Sequence, residues 1–306
     1  MQKVIVVLGP TGVGKTKLSI EIAKKYNGEI INADSMQIYK DLNIGTAKIK
    51  EEEKDNIPHH LFDIKNIDEE YSIYDYQKDC RNTIDYITKK GKTPILVGGT
   101  GLYIKSALYD YKLDYDNKIN NYDELTIEEL YTKLITIDKE IEGKIDKNNR
   151  RRLINAINYF KRNNTSIINN KTNKLLYDVI FIGITTDREL LYTNINKRVD
   201  KMIEEGLIDE VKKFYDNNIK TKPLIGGIGY KELYEYFDNQ VNLDQAIDNI
   251  KRNTRRYAKK QYTFFNHQLP VWWIKANYVD YNSMINEVFK YIDKNLYNER
   301  SNIWKK

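Results

Sequence analysis

Hydrophobic residues come in short blocks near the start of the chain. Residues 3–8 (KVIVVL) form an apolar run that stops at Gly9, the pattern of a buried strand. Residues 16–25 place Leu18, Ile22 and Ala23 on one helical face. Residues 29–31 predict a second strand, and residues 74–89 repeat with helical spacing. Residues 94–97 (PILV) predict a third strand, again stopped by glycines. Strands alternating with helices at this spacing imply an α/β fold: a parallel sheet covered on both faces.

The pattern changes between about residues 111 and 174. Lys, Asn, Asp and Glu dominate there, with no clear strand. Helices are expected over 128–141 and 149–160, and the Asn-rich stretch 163–173 reads as loop. A strand pattern returns at 179–184 (VIFIGI). Thr186 or Asp187 can cap the helix after it, which stops at Gly206. Beyond Pro223 the chain is mostly helical, with a late strand at 271–274 (VWWI). The organisation that follows is an α/β core beginning in 1–110, a helical insertion domain over 111–178, and 179–306 completing the core and ending in a helical region.

The chain has 306 residues, enough for a sizeable core. Its mean hydropathy is -0.68, and no apolar run reaches the roughly 18 residues of a membrane span. No signal-peptide pattern precedes the first strand, so a cytoplasmic protein without membrane contact is expected. The single cysteine, Cys80, excludes an internal disulfide and a Cys-cluster metal site. His59 and His60 lack a third ligand at metal spacing and are expected to serve loop structure. Trp272 and Trp273 are expected in the core.

The first strand runs into Gly9-Pro10-Thr11-Gly12-Val13-Gly14-Lys15-Thr16, which fits G-x-x-x-x-G-K-[ST] with a strand before it and a helix after it. Glycines let the backbone wrap a phosphate, and amides at a helix N-terminus point towards it. Lys15 adds charge to the outer phosphate oxygens, and Thr16 offers a hydroxyl to Mg²⁺. The motif therefore predicts binding of a di- or triphosphate.

A P-loop nucleotidase places an Asp for Mg²⁺ at the end of another strand. Here the third strand ends in Gly98-Gly99-Thr100-Gly101, without an acid. The second strand leads to Asn32-Ala33-Asp34-Ser35, so Asp34 is the carboxylate placed beside the phosphate loop. By position alone, Asp34 fits a helix N-cap as well as it fits chemistry.

Several blocks together resemble the tRNA dimethylallyltransferase (IPP transferase) family. They are the phosphate loop, Asp34-Ser35-Met36-Gln37-Ile38-Tyr39, Gly45-Thr46-Ala47-Lys48, Pro58-His59-His60-Leu61, Gly98-Gly99-Thr100-Gly101-Leu102-Tyr103 and Gly227-Ile228-Gly229-Tyr230. Their order and spacing match over nearly the whole chain. The resemblance implies transfer of a dimethylallyl group from dimethylallyl diphosphate to N6 of the adenosine 3′ of the anticodon in tRNA. It implies that residues 9–16 hold the donor diphosphate with Mg²⁺, and that Asp34 is the general base. Thr100 would bond the base or Asp34, and Arg198 would steady the leaving group. The target adenine would leave the loop stack to reach Ser35, Met36 and Gln37. Arg151 and Arg152, in a segment 151–155, and Gly229 and Tyr230, in 227–232, match further tRNA contacts of the family. This sequence departs from the family where Asn155-Ala156-Ile157-Asn158 replaces a frequent Arg-Ala-Leu-Glu run, and where 111–122 replaces a proline-punctuated stretch.

The net charge of +6 says little by itself, but its location does. Lys251-Arg252, Arg255-Arg256 and Lys259-Lys260 recur every four residues, within about half of a helix surface. Ile247, Ile250, Tyr257, Ala258 and Phe265 take the other half. Residues 249–262 contain no acid, and removing them leaves as many basic as acidic residues in the chain. Such a stripe suits an RNA backbone. The sequence thus reads as a tRNA prenyltransferase, expected to be a monomer whose insertion clamps the anticodon stem-loop. The alternatives are an ATP-dependent P-loop small-molecule kinase and a P-loop RNA-binding protein without chemistry.

Overall fold

The computed structural model describes residues 1–111, 113 and 120–297. The chain opens with β1 (Lys3–Leu8), α1 (Lys15–Lys25), β2 (Gly28–Asn32), β3 (His59–His60), α2 (Ile73–Lys89), β4 (Thr93–Gly98) and α3 (Gly101–Leu108). The middle contains β5 (Tyr109–Tyr111), α4 (Ile127–Ile137), α5 (Arg150–Asn163) and β6 (Lys171–Leu175). It then continues through β7 (Asp178–Thr185), α6 (Arg188–Glu204), α7 (Leu207–Asp216), α8 (Lys222–Gly226), α9 (Tyr230–Phe237), α10 (Leu243–Gln268), β8 (Trp272–Lys275) and α11 (Tyr281–Tyr297). Two compact units result: Met1–Leu108 with Tyr177–Lys306, and Tyr109–Leu176.

The first unit is a mixed α/β fold around six parallel strands in the order β3-β2-β4-β1-β7-β8. The central strand β1 pairs Ile5, Val6 and Val7 with Ile95, Leu96 and Val97 on one side and with Ile180, Phe181 and Ile182 on the other. Both of its faces are covered, which is why its apolar run is continuous rather than alternating. Leu18 and Ile22 of α1 and Val288 and Ile292 of α11 pack into the same core cluster as Ile5 and Ile182. A second cluster joins Leu42, Val199, Val211, Leu224, Leu233 and Ile250, drawing in α6 to α10.

The second unit has its own small core, in which Leu130 and Leu134 of α4 meet Leu153 and Ile157 of α5. Thr126 and Glu129 form a capping box at the start of α4. The Arg150 guanidinium donates to the carbonyls of Tyr122 and Leu125. Strands β5 and β6 form an antiparallel ribbon pairing Tyr109 with Leu175 and Tyr111 with Lys171.

The structure corrects several local expectations. The helix expected over 128–141 stops at Ile137, and Lys139–Ile141 is a separate 3₁₀ turn. The Asn-rich stretch is not loop throughout, since α5 extends to Asn163, Ile167–Asn170 is a 3₁₀ turn and β6 follows. Strands therefore do occur in the insertion. Asp187 occupies the cap position of α6, but its carboxylate pairs with Lys275 and makes no cap bond. His59 and His60 form an edge strand, where His60 bonds the buried Glu29 at 2.7 Å. Trp272 and Trp273 are only half-buried, and Trp272 stacks on Tyr291 at a centroid distance of 4.0 Å. Cys80 is buried and free. Among the described residues, no helix is long and apolar enough to cross a membrane. Lys112 and residues 114–119, most of the stretch replacing the family's proline-punctuated segment, lie outside the described residues.

Candidate functional site

The C-terminal ends of β1, β2 and β4 open into one cavity of about 560 Å³, where ligands of open α/β sheets bind. After β1 comes the phosphate loop. Gly12 and Gly14 have φ of 84° and 92°, conformations open to glycine and strained for other residues. Gly14 is the cap residue of α1 and supplies no side chain, so the first-turn amides keep their donors for a ligand. Val13 is buried and anchors the loop in the core. Lys15 and Thr16 line the cavity, and the Lys15 ammonium donates to the Pro10 carbonyl at 2.8 Å.

After β2, Asn32 shapes the next turn. Its side chain accepts from the Asp34 amide at 2.9 Å and donates to the Asp34 carbonyl at 3.0 Å. Asp34 Oδ1 accepts from the Met36 amide at 3.0 Å, and the residue lines the cavity. After β4, Thr100 Oγ1 accepts from the Ser35 amide at 3.1 Å, so Thr100 buttresses the Asp34–Gln37 turn. Within that turn its hydroxyl bonds Ser35 rather than the Asp34 carboxylate.

Gln37 and Arg198 converge on one carbonyl, that of Thr46. Gln37 Nε2 donates to it at 3.0 Å and Arg198 at 3.4 Å. The loop bearing Thr46 is held by Glu210, a buried carboxylate that accepts from the amides of Asn43, Ile44 and Gly45 and from the Tyr230 hydroxyl. Burial pushes the Arg198 pKa below its ordinary value, with Asp34 pulling upward. Burial, then the Arg198 charge, draws Lys15 down to about 7, against Asp34. The cavity thus gathers three basic side chains (Lys15, Arg198 and Lys222), the Asp34 carboxylate, a run of backbone amides and apolar walls from Val97, Met36 and Ile250.

The remaining expected residues are distributed more widely. Tyr230 is wholly buried, and its hydroxyl bonds Glu210 beneath the Thr46 loop. The Gly229 amide donates to buried Glu232 at 2.7 Å. Arg151 and Arg152 belong to the second unit and are exposed on the first turn of α5. The basic stripe of α10 is divided. Arg252, Arg256, Lys259 and Lys260 are exposed, whereas Lys251 pairs with Asp200 and Arg255 donates to Asn196, both on α6. Tyr257, assigned from periodicity to the apolar half, instead faces the cavity.

Sequence reasoning missed Glu210, Gln261 and the cavity-facing place of Tyr257, and took in Glu232 only as the end of the 227–232 segment. Glu210 and Glu232 sit among apolar helix positions, an acid on a buried face, which is the one signal that could have found them.

A sequence model described as IPPT: IPP transferase matches residues 37–268. A tRNA dimethylallyltransferase of Anoxybacillus flavithermus is 47% identical over 301 residues, covering 95% of this chain and 96% of that protein. The crystal structure of a full-length tRNA isopentenylpyrophosphate transferase from Bacillus halodurans superposes with a TM-score of 0.78 at 41% identity, covering 99% of both chains. A eukaryotic dimethylallyltransferase, captured acting on tRNA, superposes with a TM-score of 0.85 at 30% identity over 94% of this chain and 78% of that one.

Proposed function

This chain belongs to the IPP transferase family, and on that footing we propose that it transfers a dimethylallyl group from dimethylallyl diphosphate to N6 of the adenosine 3′ of the anticodon in tRNA. The observation that carries the proposal is the shared cavity: the phosphate-loop cation Lys15, the Arg198 guanidinium and the Asp34 carboxylate all open into it.

The adenine N6 lone pair forms a bond to the allylic carbon while that carbon's bond to the diphosphate oxygen breaks. The electron pair leaves on the diphosphate. Phosphate-loop amides, Lys15 and Arg198 stabilise the charge gathering there. Asp34 takes the proton that N6 sheds, acting as general base. The turn held by Asn32 and Thr100 fixes where that carboxylate points. Met36, Val97 and Ile250 supply an apolar wall for the prenyl chain.

Mg²⁺ fits the donor set. The Thr16 hydroxyl lines the cavity beside the phosphate loop, and Mg²⁺ takes few protein oxygens, completing its shell with substrate phosphate and water. Thr16 would supply that oxygen, and the ion would neutralise the leaving diphosphate. The anticodon stem-loop is the proposed RNA element, with exposed Arg151 and Arg152 on the insertion and Arg252 and Arg256 on α10 as its backbone contacts. A monomer in the cytoplasm completes the proposal.

The test is incubation with dimethylallyl diphosphate, Mg²⁺ and unmodified tRNA, followed by mass analysis of the nucleosides. A dimethylallyl mass gain on adenosine is expected. ATP turnover without transfer would instead identify a kinase, a reading that the acid-free end of β4 disfavours.

A further inference from the structure

Gln261 lies on α10, 4% exposed, between two loops that the proposed reaction must keep aligned. Its Oε1 accepts from the Thr11 amide of the phosphate loop at 3.2 Å. Its Nε2 donates to the Gly99 carbonyl, at the end of β4, at 3.0 Å. A primary amide offers an acceptor and donors in one plane, so it can satisfy an N–H and a C=O together, as a peptide unit does. No aliphatic or ionised acidic side chain of similar size can make both bonds.

The surroundings are shaped to this amide. A Cβ at Gly99 would overlap Gln261 Nε2, so the second glycine of the β4 end leaves the space that the amide fills. One turn earlier on α10, Tyr257 lines the same cavity, with its hydroxyl near Thr100 and Gln261. Close by, the Phe264 ring occupies the place where a Cβ of Gly101 would stand. Two side chains of one helix thus pack on Gly99 and Gly101 either side of Thr100, and Gln261 also holds the phosphate loop. Thr100 in turn carries the Ser35 amide at the base of the Asp34 turn.

We infer that Gln261 is a positioning residue that holds the diphosphate loop and the Asp34–Thr100 pocket in register. The function assigned to it rests on reading the cavity as a prenyl-transfer site. Gln261 also lines the cavity, but both of its bonds go to Thr11 and Gly99, so the role assigned to it runs through those loops.

Two variants separate this role from general support of the fold. Gln261→Met keeps size and removes both bonds. Gln261→Glu keeps an acceptor for Thr11 and regains a donor towards Gly99 only when protonated. With both folded, as judged by thermal melting, Gln261→Met should lower transfer kcat about tenfold or more while either KM changes far less. Gln261→Glu should retain more activity than Gln261→Met, with any gap from wild type narrowing as pH falls, because protonation restores the donor. A Gln261→Met kcat within about twofold of wild type would overturn the inference, as would Gln261→Glu no better than Gln261→Met at any pH.

A second readout needs no turnover. Inorganic diphosphate added to wild type should slow hydrogen exchange at the amides of residues 98–101 as well as in the phosphate loop. In Gln261→Met the slowing should be confined to the phosphate loop. Equal protection at 98–101 in both proteins would refute the coupling. Failure of wild type to modify tRNA would instead remove the functional reading and leave this exchange result standing on its own.

Discussion

Arg198 and Lys15 share one cavity and repel each other. Burial and then that repulsion draw the Lys15 ammonium down to about 7, with Asp34 partly compensating. The free enzyme is therefore poised to take up a proton when an anion arrives.

A bound diphosphate favours the ammonium and should raise the Lys15 pKa. Binding measured calorimetrically in buffers of different ionisation enthalpy should then show proton uptake somewhat above neutral pH. Affinity should fall as pH climbs from about 7 towards the ordinary lysine value of 10.5. The free protein follows the opposite sign. Its folded Lys15 binds fewer protons than the unfolded chain across that window, so this residue's contribution makes the protein more stable as pH rises through it. Arg198→Ala removes the repulsion and should reduce the proton uptake. Equal uptake in both proteins would show that the repulsion is immaterial.

Asp34→Asn keeps the acceptor for the Met36 amide and removes the base. Transfer should fall roughly 10²- to 10⁴-fold, with tRNA affinity little changed. Lost tRNA binding with normal turnover at saturating tRNA would contradict the assignment of Asp34 as base.

Glu210→Ala should cost roughly 3 kcal/mol or more, because three backbone amides and a buried hydroxyl lose their shared acceptor together. Tyr230→Phe, which removes one of these bonds, should cost only about 1 kcal/mol. Denaturant unfolding measures both. Similar losses from the two variants would mean that the loop amides find other partners.

On α10, reversing the charges of Arg252 and Arg256 should weaken tRNA binding and flatten its dependence on salt. The slope should fall by about 0.7–0.9 for each phosphate no longer neutralised. Reversing Lys251 and Arg255 should instead disturb packing against α6, lowering the melting temperature. An unchanged salt slope in the first variant would rule out the exposed arginines as partners of the RNA backbone.

Legibility in the sequence followed the range of the interactions. The phosphate loop could be read because eight consecutive residues contain both its turn and its chemistry. Strands β1, β4 and β7 could be read because burial on both faces writes an unbroken apolar run. Strand β6 could not, since Lys-Thr-Asn-Lys-Leu has no alternation and its partner lies far back in the chain. Gln261 looks like an ordinary polar position on an amphipathic helix, and Glu210 shows only as an acid on an apolar face. Their meaning lies in amides at Asn43–Gly45 and Thr11, which no local pattern connects to them. Even the charge on α10 was legible only as a stripe. Which cations stay exposed depends on Asp200 and Asn196 of another helix.

The short ribbon of β5 and β6 also bears on how the molecule reaches its fold. Strand β7 must pair with β1 across the whole intervening chain, and closing a long loop costs entropy that grows with its length. By zipping Tyr109 to Leu175, the ribbon brings the two ends of the insertion together. Once the insertion has folded, the effective loop between α3 and β7 shrinks to a few residues. An early-folding insertion would thus accelerate completion of the central sheet, and loosening the ribbon would slow refolding more than it destabilised the final state.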